Sequence, residues 1–403
     1  MSDVQGHYDH VLVGAGMAAA GAVTGIRAVD AGASVAVLGA ETDPPLYRPD
    51  LSKTLWLKDG ATPEDSTLLD EGAGVDLHTG VEVASISPAE HTVTLGDGTT
   101  VRYGRLLLAT GALPRTVDLP AGPRVVYYRT AADYRTLRGL ARPGAHVVVV
   151  GGGYIGSEIA AALSQNDVRV TLVLGGELVQ ETMFPEGLAR HVTDAFTAHG
   201  VEIVHGLLAG GDAGEDGVTL RLEDGTELTA DAAVIGVGVT PRTRLAEEAG
   251  LAVDDGIVVD ERLRTSAEDV YAAGDVASYP DARLGRRRVE HADNAEKMGE
   301  AAGRVMAGDD TSYDRTPFFW SDLYDDGYEA IGELSTRHAV VEDWKDEGHG
   351  AGVVYYLDGG AVRGVLLWNV WDSVDWARGL IRDGQPRSAV ELDAVAASRW
   401  TPA

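Results

Sequence analysis

The 403-residue chain has no cysteine, only four phenylalanines and, on reading its rows, only four lysines. The missing cysteines exclude structural disulfides, a thiolate nucleophile, a redox-active CxxC pair and iron–sulfur ligation together. Electron chemistry, if present, must then sit on a bound organic cofactor. The eleven histidines form no HExxH or other close ligand cluster, so no metal is expected. No apolar run approaches the roughly 20 residues that span a bilayer. The opening residues, MSDVQGHYDH, show no basic segment followed by an apolar one. No secretory signal is read there, and a cytoplasmic protein is expected. Positive charge is also short: the formal net charge is −30 and the pI near 4.6. Nucleic acid and anionic membranes are therefore poor partners, and the acidic surface favours solubility.

Two copies of one pattern organise what is present. Residues 10–26 read HVLVGAGMAAAGAVTGI and residues 146–163 read HVVVVGGGYIGSEIAAAL. Each is a β-branched run, a glycine turn and an alanine-rich helix. The first turn is GxGxxA (Gly14, Gly16, Ala19, with Ala18 beside it), and the second is GxGxxG (Gly151, Gly153, Gly156, with Tyr154 and Ile155 inside it). The first glycine permits a tight turn, the second lets backbone approach a pyrophosphate, and the third small residue lets helix pack on strand. The pyrophosphate then meets free N–H groups at a helix N-terminus. A second strand follows each turn and ends near an acid, Glu41 and Glu177, at about the 20-residue offset of a ribose-binding carboxylate. Two such copies point to two dinucleotide sites.

Further apolar strands end in Ala109-Thr110-Gly111, in the glycines around Gly238, and in Gly274-Asp275. The tail from 316 has no glycine-rich phosphate turn and reads as strands followed by a tryptophan-bearing helix over 372–382. The expected fold class is α/β. Two Rossmann-like domains are expected, one at 1–115 with 243–315 and one at 116–242, plus a C-terminal α/β domain at 316–403.

Four lysines, Lys53, Lys58, Lys297 and Lys345, stand against 29 arginines, and one of them closes the stretch YRPDLSK, residues 47–53. This stretch, with LLLATGALPR, VYAAGDVAS, GRRRVEHADNA (285–295) and FFWSDLYDDGYEAIGE (318–333), resembles the two-dinucleotide flavoprotein reductases. Within them the chain is similar to the NADH:ferredoxin reductases of the putidaredoxin reductase kind. Its later motifs are closest to apoptosis-inducing factor. The resemblance covers nearly the whole chain. Cousins that use a flavin-adjacent cysteine pair are excluded by composition.

The resemblance implies FAD on the first turn and NADH, rather than NADPH, on the second. It places Lys53 near the flavin N5 edge, paired with Glu158 in the first turn of the second Rossmann helix. A fixed cation there would stabilise the charge that hydride transfer creates. Asp275 would bind the ribityl chain, and the helix start at Glu290, His291 and Ala292 would face the N1/O2 edge. The His291 side chain is open between a cofactor contact and a packed imidazole. Trp320 is open between the cofactor site and plain core. Arg48, Val83 and Arg129 fall where the family touches FAD, and Tyr154 where it lines the nicotinamide site. The family's ribose acids fall on Ala40 in the first domain and on Leu174 or Gly176 in the second, beside Glu41 and Glu177. Arg283, Arg286, Arg287 and Arg288 form the one dense basic cluster, read either as a ferredoxin-docking patch or as groups spent on FAD or an interface.

Two functions follow. One is an NAD(P)H-dependent flavoprotein reductase feeding an acceptor such as a 2Fe–2S ferredoxin. The other is a slowly turning NADH-binding flavoprotein, like apoptosis-inducing factor, with a stable charge-transfer complex and a redox-linked interaction role. A homodimer is compatible with either.

Overall fold

The computed structural model describes residue 4 and residues 6–69, 73–388 and 391–392. The chain divides into two compact units. The first comprises Met1–Asp50, Thr62–Leu113 and Val239–Pro317, and the second comprises Leu51–Ala61, Pro114–Gly238 and Phe318–Ala403.

The first unit is built on a parallel sheet. Strand His7–Val13 lies between Val35–Leu38 and Thr100–Leu108, with Asp76–His78 outside the former and Val270–Ala272 outside the latter. Antiparallel strands Thr92–Leu95 and Val83–Ser87 extend it. The short runs VAVL and LLL are buried on both faces, as central parallel strands require. Helix Met17–Val29 packs against helix Ala292–Met306 through four glycines. A Cβ added at Gly21, Gly25, Gly299 or Gly303 would lie 2.0–2.3 Å from a carbonyl oxygen of the opposing helix. Only glycine allows the two backbones that close.

The second unit repeats the plan. Five parallel strands run in the order Glu202–His205, Arg169–Leu174, His146–Val150, Ala232–Ile235 and Val125–Tyr127. Helix Tyr154–Ser164 follows the glycine turn. The C-terminal part adds a five-stranded antiparallel sheet, and helix Val374–Asp383 completes it. No helix among the described residues is long and apolar enough to cross a membrane.

The segment Leu51–Ala61 packs with the second unit although its sequence neighbours belong to the first. Trp56 anchors it. The indole N–H donates to the Leu51 carbonyl (2.9 Å) and to the Tyr128 hydroxyl (3.2 Å), and the ring meets Tyr134 edge-on at 5.5 Å. Tyr134 donates to the Leu55 carbonyl, and Asn166 to that of Trp56. These bonds carry Lys53 into the second unit.

Candidate dinucleotide and ion-pair sites

In the first unit the glycine turn is made as its residues dictate. Gly14 has φ +111°, and a Cβ there would lie 2.1 Å from the Ala109 carbonyl oxygen. Gly16 is different: a Cβ would meet nothing within 4 Å. Packing does not require that glycine, but a ligand approaching the backbone would. Gly16 is also the N-cap of helix Met17–Val29 and brings no side-chain cap to its first N–H groups. An open cradle before an uncapped helix N-terminus fits the pyrophosphate of FAD.

The other first-unit candidates are placed as follows. A Cβ on Gly274 (φ +79°) would come within 2.9 Å of the Ala18 Cβ, which brings Asp275 beside the turn. Thr110 donates to the Arg242 carbonyl (2.8 Å), and Gly111 follows it at φ +67°. Glu41 accepts a hydrogen bond from Arg48. His291 is the N-cap of helix Ala292–Met306, and burial pushes its imidazole down to about 4. Glu290 is paired with Arg288, whose Nη1 also reaches the Asp275 carbonyl at 3.3 Å. Val83 is buried at the start of its strand, with its carbonyl 3.4 Å from Arg244 Nη2. Two members of the arginine cluster are committed internally. Arg286 donates to the carbonyls of Val259 and Ser278, and Arg288 pairs with Asp255 as well as Glu290.

The second turn shares the design. Gly151 has φ +107° and faces the Gly236 carbonyl, where a Cβ would sit at 2.4 Å. Gly153, the uncapped helix N-cap, is open to 4 Å, so this turn fits a second pyrophosphate. At Gly156 a Cβ would lie 1.8 Å from the Gly151 carbonyl oxygen. A cleft of about 270 Å³ opens here, lined by Gly153, Tyr154, Leu174, Gly176, Gln180 and Glu181 among others. Tyr154 is 40% exposed, packs edge-on against Phe319 at 5.0 Å, and donates to Met183 Sδ. Gln180 braces the turn. Its backbone N–H donates to the Gly152 carbonyl (3.1 Å) and its side chain to Ser157 Oγ (2.7 Å), which donates to the Gly153 carbonyl (2.8 Å).

The same unit holds the ion pair. Lys53 Nζ lies 2.5 Å from Glu158 Oε1, with side-chain exposures of 10% and 8%. Ser52 donates to Glu158 Oε2 at 2.5 Å, and Ser321 donates to Oε1 at 2.6 Å. The carboxylate thus takes one cation and two hydroxyls, the satisfaction a buried charge needs. Nζ also sits 4.9 Å from the centroid of Trp320, whose indole is half-buried rather than deep core. Next to Ser321, burial raises the Asp322 carboxyl while the Lys53 charge opposes the rise.

One sequence expectation, the helix position of Glu158, needs correction here. Glu158 is the fifth residue of helix Tyr154–Ser164, so it lies just past the first turn. Glu177 is exposed and does not line the cleft. Arg129 has its backbone N–H bonded to Asp133 (3.0 Å). Gly238 has φ +98° and accepts the Arg115 N–H. Sequence reasoning missed Ser52 and Ser321, although both lie inside quoted motifs. It also missed Gln180 and Glu181, for which no spacing rule speaks.

Residues 8–299 match the family model described as pyridine nucleotide-disulphide oxidoreductase. The chain is 35% identical to the ferredoxin–NAD(+) reductase component of the anthranilate 1,2-dioxygenase system of Burkholderia cepacia, over 93% of this chain and 94% of that protein. It is 32% identical to mitochondrial apoptosis-inducing factor 1 of Dictyostelium discoideum, over 93% of this chain and 78% of that protein. Among solved structures, the covalent putidaredoxin reductase–putidaredoxin complex contains a chain that superposes with a TM-score of 0.87 at 28% identity, covering 99% of this chain and 100% of that one. Two glycine turns of Rossmann geometry, joined to these likenesses, place the chain in the pyridine nucleotide-disulphide oxidoreductase family.

Proposed function

We propose that this oxidoreductase takes electrons from NADH and passes them, through FAD, to a one-electron acceptor of the 2Fe–2S ferredoxin kind. The observation that carries the reading is the buried Lys53–Glu158 pair, clamped by Ser52 and Ser321 and set in the same unit as the Gly151 turn. Electron transfer through a cysteine pair of the chain's own is excluded, because the chain has no cysteine. FAD, when bound, accepts a hydride and releases electrons singly.

The residues would divide the work as follows. Gly14, Gly16, Ala18 and Ala19 hold the FAD pyrophosphate at a helix N-terminus, and Asp275 accepts from the ribityl hydroxyls. The N-terminus of helix Ala292–Met306 offers backbone N–H groups to the flavin. Gly151, Gly153 and Gly156 hold the NADH pyrophosphate, and Tyr154 lines the nicotinamide end. Lys53 supplies a compact cation at the hydride-accepting edge. Because Glu158 keeps two hydroxyl donors, Lys53 can leave it without stranding a bare buried carboxylate. An arginine there would be a larger planar fork and a poorer partner-switching group. The three-part domain division, a cytoplasmic setting and a homodimer belong to the same proposal.

The arginine cluster does not serve as the ferredoxin-docking patch in this reading, since Arg286 and Arg288 bond within the first unit. The likeness to apoptosis-inducing factor favours a second reading, a slowly turning NADH-binding flavoprotein that keeps its NAD.

Anaerobic stopped-flow reduction by NADH, followed by mixing with a 2Fe–2S ferredoxin or with air, tests both. Rapid ferredoxin reduction supports the reductase. A long-wavelength absorbance band that outlasts air for minutes supports the second reading. Protein purified without any flavin would contradict both. Lys53→Ala is expected to slow flavin reduction about 100-fold or more, the usual cost of removing one charge-stabilising group. An unchanged rate would remove Lys53 from the hydride site.

A further inference from the structure

Strand Arg169–Leu174 ends on Leu174, which with Gly176 is one of the two positions where the resemblance puts the family's ribose acid. The Leu174 side chain is tucked under the glycine turn, its Cδ2 2.3 Å from where a Gly152 Cβ would lie. The strand end therefore offers the cleft no polar side chain. Gly175 and Gly176 follow, and the space over Gly176 is taken by a carboxylate arriving from further along the chain. A Cβ on Gly176 would lie 1.8 Å from Glu181 Oε1.

Glu181 is held there from both sides. Its Oε2 accepts the backbone N–H groups of Glu177 (2.9 Å) and Leu178 (3.0 Å). Gln180, the residue before Glu181, is buried at φ +55° and is itself bonded to the turn. Thr336 donates to the Glu181 carbonyl (3.2 Å). Among the described residues nothing donates to Oε1, so this oxygen remains an acceptor on the cleft wall. Among the residues lining the cleft, Glu181 is also the one charged group. Glu177, at the offset the motif predicts, is exposed, is not among the residues lining the cleft, and contributes its backbone N–H to seating Glu181.

We propose that Glu181, not Glu177, reads the adenosine ribose of the dinucleotide and excludes a 2′-phosphate. Oε1 accepts a ribose hydroxyl, while the fixed negative charge, with no arginine or lysine in the cleft lining, repels a phosphate. The assignment rests on the reading of the Gly151 turn as the nicotinamide-dinucleotide site.

Calorimetric titration of the flavin-loaded protein with ADP-ribose and with 2′-phospho-ADP-ribose tests it without turnover. The parent should bind ADP-ribose at least about tenfold tighter, a difference of about 1.4 kcal/mol. Glu181→Gln keeps an oxygen to cap Glu177 and Leu178 but loses the charge, and should reduce the ratio about tenfold at unchanged flavin content. Glu177→Gln should leave it unaltered. A parent-like ratio in Glu181→Gln, or a collapsed ratio in Glu177→Gln, overturns the assignment. A parent that binds neither probe overturns the dinucleotide reading and this assignment with it.

Discussion

The two glycine turns solve one problem with different third residues. In the first unit the third position is Ala19, fully buried and tolerated; in the second it is Gly156, where a Cβ would collide with the Gly151 carbonyl at 1.8 Å. The first unit instead concentrates its glycines between helices, at Gly21, Gly25, Gly299 and Gly303. The small-residue requirement is thus not a property of the motif alone. It goes wherever two backbones must touch: against the turn itself in one unit, against a second helix in the other. What the turns share is the vacancy at Gly16 and Gly153, which packing cannot explain and ligand approach can.

Exchanging the third residues breaks the comparison most sharply. Gly156→Ala forces backbone to move and should destabilise the protein by about 3 kcal/mol or more. Ala19→Gly should cost about 1 kcal/mol, mostly helix propensity. Urea unfolding followed by circular dichroism checks both; equal costs would mean that the two turns are packed alike. An effect between these two in size concerns His291, the N-cap of helix Ala292–Met306. Burial lowers His291 to about 4, with the Arg287 charge adding to it and Asp275 and Asp293 opposing. Its unfolded value is about 6.5, so the folded chain resists protonation. The stability this confers is complete above about pH 6.5 and fades as pH falls toward 4. Between pH 7 and pH 5 the loss should be roughly 2 kcal/mol greater in the parent than in His291→Asn. Equal losses would show that His291 protonates freely in the fold.

Much of this was legible because backbone geometry leaves residues few choices. Positive φ and close approach demand glycine at Gly14 and Gly151, and parallel strands demand continuous apolar runs. Lys53 and Glu158 were legible through motif resemblance, and the structure joins them. The clamp was not, because Ser321 lies 163 residues from Glu158 and a serine carries no spacing signature. Glu181 escaped because it lies beyond the expected offset and reaches the strand end by folding back over two glycines. The arginine run read equally as a docking patch or as internal groups, and the carbonyls it reaches decide the matter for Arg286.

The central claim is that the two turns hold two different dinucleotides, and a crossed pair of substitutions tests it most directly. A Cβ on Gly16 or Gly153 would meet no non-neighbouring atom within 4 Å, so Gly16→Ala and Gly153→Ala should still fold, at a cost of about 1 kcal/mol each for alanine at a helix N-cap. Flavin content and calorimetric ADP-ribose affinity are then measured on each. Gly16→Ala is predicted to lose FAD, whereas Gly153→Ala keeps FAD and loses at least about tenfold in ADP-ribose affinity. If both variants keep full flavin and full ADP-ribose affinity, or if each turn's variant loses the other turn's ligand, the account is contradicted.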